Sequence, residues 1–169
     1  LVVVNGENAA HGFGITADIH AELVAAGADV VTLGNHAFDQ REALIFIERE
    51  DNLIRPANWP AGCPGKGATL AVTARGQRVL VVNLMGRVMI EPMLDDPFPV
   101  IDRLLDECRL GRDCDAVLVD FHAEASSEKM AMGHFCDGRA SLVVGTHQHV
   151  PTGDAQIFPG GTALQCDAG

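Results

Sequence analysis

The sequence predicts an α/β layered fold, and three observations carry the prediction. Apolar, β-branched runs such as Val2-Val3-Val4, Val30-Val31-Thr32-Leu33 and Leu142-Val143-Val144 alternate with stretches of helical periodicity. Capping residues and glycines sit at the boundaries between the two kinds of segment. No repeat or linker divides the 169 residues, so a single layered domain over 1–169 is expected.

Taken in order, Leu1–Asn5 reads as a strand. Thr16 can cap a helix that runs to about Ala26 and stops at Gly27. Asp29–Leu33 is the next strand, Asp39 opens a helix to about Glu50, and Leu53–Arg55 is a short strand. Ala68–Ala74 and Arg78–Leu84, joined by Arg75-Gly76-Gln77, form a β-hairpin. Asp95-Asp96-Pro97 starts a helix that reaches about Leu110 before Gly111, because proline is suited to a first helical turn. Ala116–Asp120 is a strand, and Ser126-Ser127-Glu128 opens a helix to about Asp137 and Gly138. Ser141–Gly145, Gln156–Phe158 and Thr162–Cys166 complete the strands.

Composition bounds the function. Twelve Lys+Arg against 23 Asp+Glu give a net charge of -11, which argues against broad contact with nucleic acid or an anionic membrane. Phosphate chemistry on such a chain would need a local positive centre, which bound metal ions can supply. The five cysteines are odd in number and form no CxxC pair, so neither a disulfide framework nor a thiolate zinc site is expected, and a reducing cytoplasm fits. No stretch approaches the ~20 apolar residues of a membrane span. Leu1 begins in mid-strand without an initiator Met, and Cys166-Asp167-Ala168-Gly169 reads like a strand end, so both termini are expected to be cut.

The chemistry-bearing residues follow the strands. One run leads into Asn5-Gly6-Glu7-Asn8, a second into Gly34-Asn35-His36, a third into His122-Ala123-Glu124 and a fourth into Gly145-Thr146-His147-Gln148-His149. Ligands of parallel α/β sheets bind outside the carboxyl ends of strands, where loops converge. In His147-Gln148-His149, residues i and i+2 of an extended segment point to one side, so both rings can reach one object. A lone His is more often structural than ligating, and Gly-Asn after a strand is more often turn chemistry. The joint pattern is what points to metal. One carboxylate, two amides and three imidazoles without thiolate suit Mn, Fe, Zn, Ni or Co, and they are too many for one tetrahedral ion. Two ions roughly 3.5 to 4 Å apart, sharing a carboxylate, would use them.

Gly34-Asn35-His36, His122 and Gly145-Thr146-His147-Gln148-His149 resemble the signatures of calcineurin-like metallophosphoesterases. The longer stretches Val4–Gly14, Thr32–Gln40, Arg55–Asn58, Asn83–Arg87 and Asp120–Ala125 are similar to the bacterial YmdB-like branch, associated with cyclic-nucleotide phosphodiesterase activity. The resemblance implies a layered β-sandwich flanked by helices and a pair of divalent or mixed-valence ions of Fe, Mn or Zn. It implies Glu7 as the bridging carboxylate, Asn35, His122 and His147 around one ion, and Asn8 and His149 at the other. His36 would stand beside them as general acid or as donor to the charged transition state. The implied reaction is attack of a metal-bound hydroxide on the phosphorus of a small phosphodiester, such as a 2′,3′- or 3′,5′-cyclic nucleotide.

Glu7 replaces the bridging Asp of the wider superfamily, and Asn8 takes a place commonly filled by histidine; both are features of the YmdB-like branch. The family opens with a strand ending in Gly-Asp-x-x-Gly, whose Asp no residue here matches. The chain is therefore expected to lack that first strand and a C-terminal continuation, to hold one ion weakly and to turn over poorly. The open sheet edge would face solvent or another chain, a homo-oligomer included. His11, Asn58 and Arg87 are candidates for substrate contact, and Glu124 for orienting a ligand. His20 and His134, inside helices, carry no functional weight. Two other classes stay open: a metal-dependent hydrolase of amidohydrolase type, and a regulatory binding protein with a vestigial site.

Overall fold

The computed structural model describes residues 1–169. Nine strands and four helices follow in the order β1 (Val3–Asn5), α1 (Ala17–Ala25), β2 (Val30–Thr32), α2 (Ala43–Phe46), β3 (Leu53–Ile54), β4 (Ala68–Val72), β5 (Arg78–Met85), α3 (Pro97–Glu107), β6 (Ala116–His122), α4 (Ser126–Phe135), β7 (Leu142–Thr146), β8 (Gln156–Ile157) and β9 (Ala163–Gln165). Every expected strand is present. Thr16 caps α1 by accepting from the Ile19 amide, and Asp96 caps α3 by accepting from Phe98, with Pro97 in its first turn.

The strands form two sheets. β1, β2 and β3 are parallel, in that order, and β4-β5-β6-β7-β9-β8 make a six-stranded mixed sheet whose four central strands run parallel. Side-chain alternation then builds four layers. On β2, Val30 packs between the sheets with Ile54, Val79 and Val81, whereas Val31 faces outward to Ile15, Leu33, Ile47 and Leu53 under α1 and α2. On β5, Leu80, Val82 and Leu84 face Ile101 and Leu105 of α3 and Met132 of α4, opposite to Val79 and Val81. The result is helix, sheet, sheet, helix, as the resemblance implied.

One helix is shorter than expected. The segment read as Asp39 to Glu50 holds only the single turn Ala43–Phe46, flanked by turns, and Glu42 at its start makes no capping bond. Asp39 cannot cap it, because its carboxylate accepts instead from His36 Nδ1 at 2.7 Å. The third helix stops at Glu107 rather than near Leu110, where Cys108 turns extended. No helix is long and apolar enough to cross a membrane.

Candidate metal centre

The polar residues of the four strand ends meet where the inter-sheet layer runs out past the carboxyl ends of β1, β2, β6 and β7. His122 closes β6 on the face that looks between the sheets, since Val117, Val119 and Phe121 take the opposite face. Glu7 and His122 are each 1% exposed, and their Oε2 and Nε2 atoms are 2.8 Å apart. Asn35 brings its Oδ1 to 3.0 Å from the same nitrogen, and His147 brings its Nδ1 to 3.1 Å. Gly34 makes this approach possible, because a Cβ there would lie 2.4 Å from His122 Nε2 and 2.5 Å from Glu7 Oε1.

The hydrogen-bond partners behind the rings decide which nitrogens carry protons. Asp120, as a carboxylate, accepts from Thr146 Oγ1 at 2.7 Å and from Thr32 Oγ1 at 2.5 Å. The Thr146 hydroxyl proton is thus committed to Asp120, and its oxygen accepts from His122 Nδ1 at 2.9 Å. His122 Nε2 is then a lone pair. Glu124 stands beside the other ring: its carboxylate lies 3.2 Å from His147 Nε2, where its charge favours the proton on that nitrogen and leaves Nδ1 free to face the cluster. With both rings neutral, four acceptor atoms from Glu7, Asn35, His122 and His147 converge with no proton among them. A metal ion would relieve such a cluster, and the Glu7, His122 and His147 ligand atoms lie within 4.8 Å of one another.

With no metal bound, a proton takes the place of the cation. Burial alone would raise the Glu7 carboxyl, but the hydrogen bond of a protonated His122 ring, that of the His36 amide and the charges of both rings hold it below its ordinary value. Burial lowers His147, aided by the charge of His122 and opposed by Glu7 and Glu124, so the ring favours its neutral, ligating form. Burial raises the Asp120 carboxyl, whereas the bonds from Thr32, Thr146 and Asn5 and the charge of His122 pull toward the carboxylate form that the relay through Thr146 uses. His147 and His149 have φ of +110° and +58°, in a region that L-residues rarely enter and that costs about 1–3 kcal/mol each. Such strain is what a rigid surrounding holds in place for a purpose.

The remaining candidates divide. Asn8 Oδ1 meets His149 Nε2 at 3.1 Å, and both line one cleft of about 230 Å³ with Glu7 and His147. His36 donates its amide to Glu7 Oε1 at 3.0 Å while its ring pairs with Asp39 and meets Phe13 edge-on. Arg87 follows Gly86, whose amide donates to His122 O, and is exposed, with its guanidinium 3.9 Å from Met93 Sδ. His11 is exposed on the loop at φ +55°. Asn58 is buried, and the fold uses its whole amide: Nδ2 donates to Met85 O and Asp95 O, and Oδ1 accepts from the Met85 amide. Asp120, Thr146 and Thr32, which bond behind the His122 ring, are the supporting residues that the sequence did not single out. Their signal was present only as a carboxylate inside an apolar strand.

Four layers and this set of donors put the chain in the class of calcineurin-like metallophosphoesterases that its motifs resemble. The model of the YmdB-like protein family matches residues 1–169, and the chain belongs to that family. It is 51% identical over 167 residues to the 2′,3′-cyclic-nucleotide 2′-phosphodiesterase of Bacillus subtilis (strain 168), covering 99% of this chain and 62% of that protein. A crystal structure of a hypothetical protein from Thermus thermophilus matches with a TM-score of 0.91 at 50% identity, over 100% of this chain and 64% of the other. A novel phosphatase from Mycoplasma pneumoniae matches with a TM-score of 0.87 at 35% identity, over 100% and 60%. The chain thus spans about three fifths of the length of these relatives.

Proposed function

We propose that this chain carries the catalytic centre of a metal-dependent phosphodiesterase acting on small phosphodiesters, with cyclic nucleotides as the first candidates. The observation that carries the reading is the convergence of unprotonated donors from Glu7, Asn35, His122 and His147 on one point. The mixed oxygen and nitrogen set suits Mn, Fe or Zn. With Asn8 and His149 paired across the same cleft and Glu7 between the two groups, the donors suit two ions that share one carboxylate. Two bound ions would supply an acidified water as nucleophile and positive charge for the phosphate oxygens. The named activity of the Bacillus subtilis relative supports the substrate class.

The chain's own residues do the rest. Thr146 would hold His122 in its ligating tautomer through a hydrogen bond, and the Glu124 charge beside Nε2 would favour that of His147. His36 pairs with Asp39 through Nδ1 at 2.7 Å, and as a doubly protonated ring beside that carboxylate it would have an Nε2 proton to give to the leaving oxygen. The test is hydrolysis of 2′,3′- and 3′,5′-cyclic nucleotides with added Mn²⁺, beside a chelated control. Metal-stimulated turnover that His36→Ala removes, with Mn²⁺ still bound, is the expected result. Hydrolysis indifferent to chelator, or none of either cyclic nucleotide while amides are cleaved, would overturn it.

A further inference from the structure

Beneath the histidine loop lies an ion pair that the donor cluster does not use. Lys129 of α4 and Asp167, two residues past β9, are both 0% exposed, and Nζ meets Oδ2 at 2.6 Å. That same Oδ2 accepts from the backbone amide of Gln148, the residue between the two strained histidines, at 3.2 Å. Oδ1 accepts from the Gly169 amide at 3.0 Å. The Asp167 main chain takes the far side of the loop, where the Thr152 amide donates to Asp167 O at 3.0 Å and the Asp167 amide donates to Thr152 Oγ1 at 2.9 Å. The Gln148 side chain is tied separately, to Glu124 O at 2.9 Å.

Gly145 is shaped to this pair and not to a ligand. A Cβ at Gly145 would lie 2.6 Å from Lys129 Cδ and 1.8 Å from Cys166 O, so the glycine lets the lysine stem and the chain after β9 pass against β7. The Ala168 amide then donates to Gly145 O at 3.0 Å. A buried ion pair is seldom more stabilising than two apolar side chains of the same volume, so its use here calls for a geometric reason.

We propose that Lys129 and Asp167 are positioning residues for the metal centre. Lys129 fixes the Asp167 carboxylate, the carboxylate fixes the Gln148 peptide, and that peptide sets the unusual backbones from which His147 and His149 face the cleft. The inference rests on the metal-binding reading of the site. Lys129→Met/Asp167→Leu removes the charges and the acceptors at similar volume, whereas Lys129→Met/Asp167→Asn keeps an acceptor for Gln148. Thermal melting, Mn²⁺ titration calorimetry and the visible spectrum of Co²⁺ at the site are compared with wild type.

The Met/Leu variant is expected to melt near wild type yet to bind Mn²⁺ about 10–100-fold more weakly, with a shifted Co²⁺ spectrum. The Met/Asn variant restores both. In the wild-type protein, the Gln148 amide is also expected to be protected from hydrogen exchange beyond its loop neighbours. Wild-type Mn²⁺ affinity and Co²⁺ spectrum in Met/Leu would overturn the positioning role and leave the metal reading intact. Should Met/Leu fail to fold, an unprotected Gln148 amide in the wild type would overturn the role by itself. Wild type that binds no Mn²⁺ would bring down both readings together.

Discussion

The layer between the two sheets is apolar at one end and polar at the other, and the changeover takes two residues of one strand. Leu118 of β6 packs with Val30, Ile54, Val79 and Val81. Asp120, on the same face, is buried among Thr32, Thr146 and Asn5 and bonds to all three. His122, two further on, meets Glu7, Asn35 and His147. The backbone is alike along this row, Leu118 is half-buried where Asp120 and His122 are buried, and the side-chain chemistry changes from apolar to polar. The apolar end can be stabilised by packing alone, whereas the polar end holds only because each buried group has a partner. The apolar end should therefore carry stability and the polar end geometry.

The largest break of that contrast is expected at Glu7, the carboxylate that touches His122 with one oxygen and accepts the His36 amide with the other. Glu7→Ala should abolish Mn²⁺ binding in calorimetry while the far-ultraviolet circular dichroism stays that of the folded protein. A folded variant that binds Mn²⁺ as wild type does would take Glu7 out of the centre. Next comes Ile54→Ala at the apolar end, where the side chain is fully buried between the sheets. It should cost about 2–5 kcal/mol in denaturant unfolding. Its Mn²⁺ affinity, measured well below the transition, should be unchanged, and a loss there would mean the two ends are not separable.

Asp120→Asn probes the point of changeover. An amide can donate toward Thr146, which frees that hydroxyl to donate to His122 Nδ1 and puts a proton on Nε2, the atom that faces Glu7. The expected loss is about 10–100-fold in Mn²⁺ affinity, the usual scale for groups that orient metal ligands. Thr146→Val should reproduce it, because it cuts the same relay at its middle. If Thr146→Val binds as wild type does while Asp120→Asn is weak, Asp120 acts through its charge and not through the tautomer.

How much of this was legible in the chain depends on whether the signal was local. Each strand was visible because β-branched runs end in turn residues within a few positions, and the donors of Glu7, Asn35, His122 and His147 were visible because they follow such runs directly. Asp39 shows where local reading fails: its carboxylate is a good cap by composition, but His36 claims it, and the helix shrinks to one turn. Asp120 reads as an ordinary strand exit, because its partners Thr32 and Thr146 lie 88 and 26 residues away and only the sheet register joins them. Lys129 and Asp167 were hidden for the same reason. A lysine in a helix normally signals a solvated face, and nothing nearby says that this one is buried. Asn58 was visible as a polar residue beside the motifs, but its three bonds to Met85 and Asp95 depend on a fold around it.

The smallest expected effect is a pH slope at the polar end of the metal-free protein. Burial, with the charge of His122, holds the folded pKa of His147 below its ordinary value of 6.5. The unfolded chain therefore binds more protons than the folded one in the window beneath 6.5, and stability there rises with pH. The contribution of His147 is fully present above 6.5 and is lost as pH falls through the folded value. Asp120 works in the opposite sense: its raised folded value gives a contribution present below 3.8 and lost as pH rises through that value. Glu7, lowered from 4.5, acts like His147 but only in the more acidic range below 4.5. The His147 share is thus the difference between wild type and His147→Gln in urea unfolding between pH 7.5 and pH 5, with chelator present. Wild type should lose more stability than the variant across that range. An equal or smaller loss in wild type would mean that His147 is not held neutral by its surroundings, and the polar end would then differ from the apolar end in composition alone.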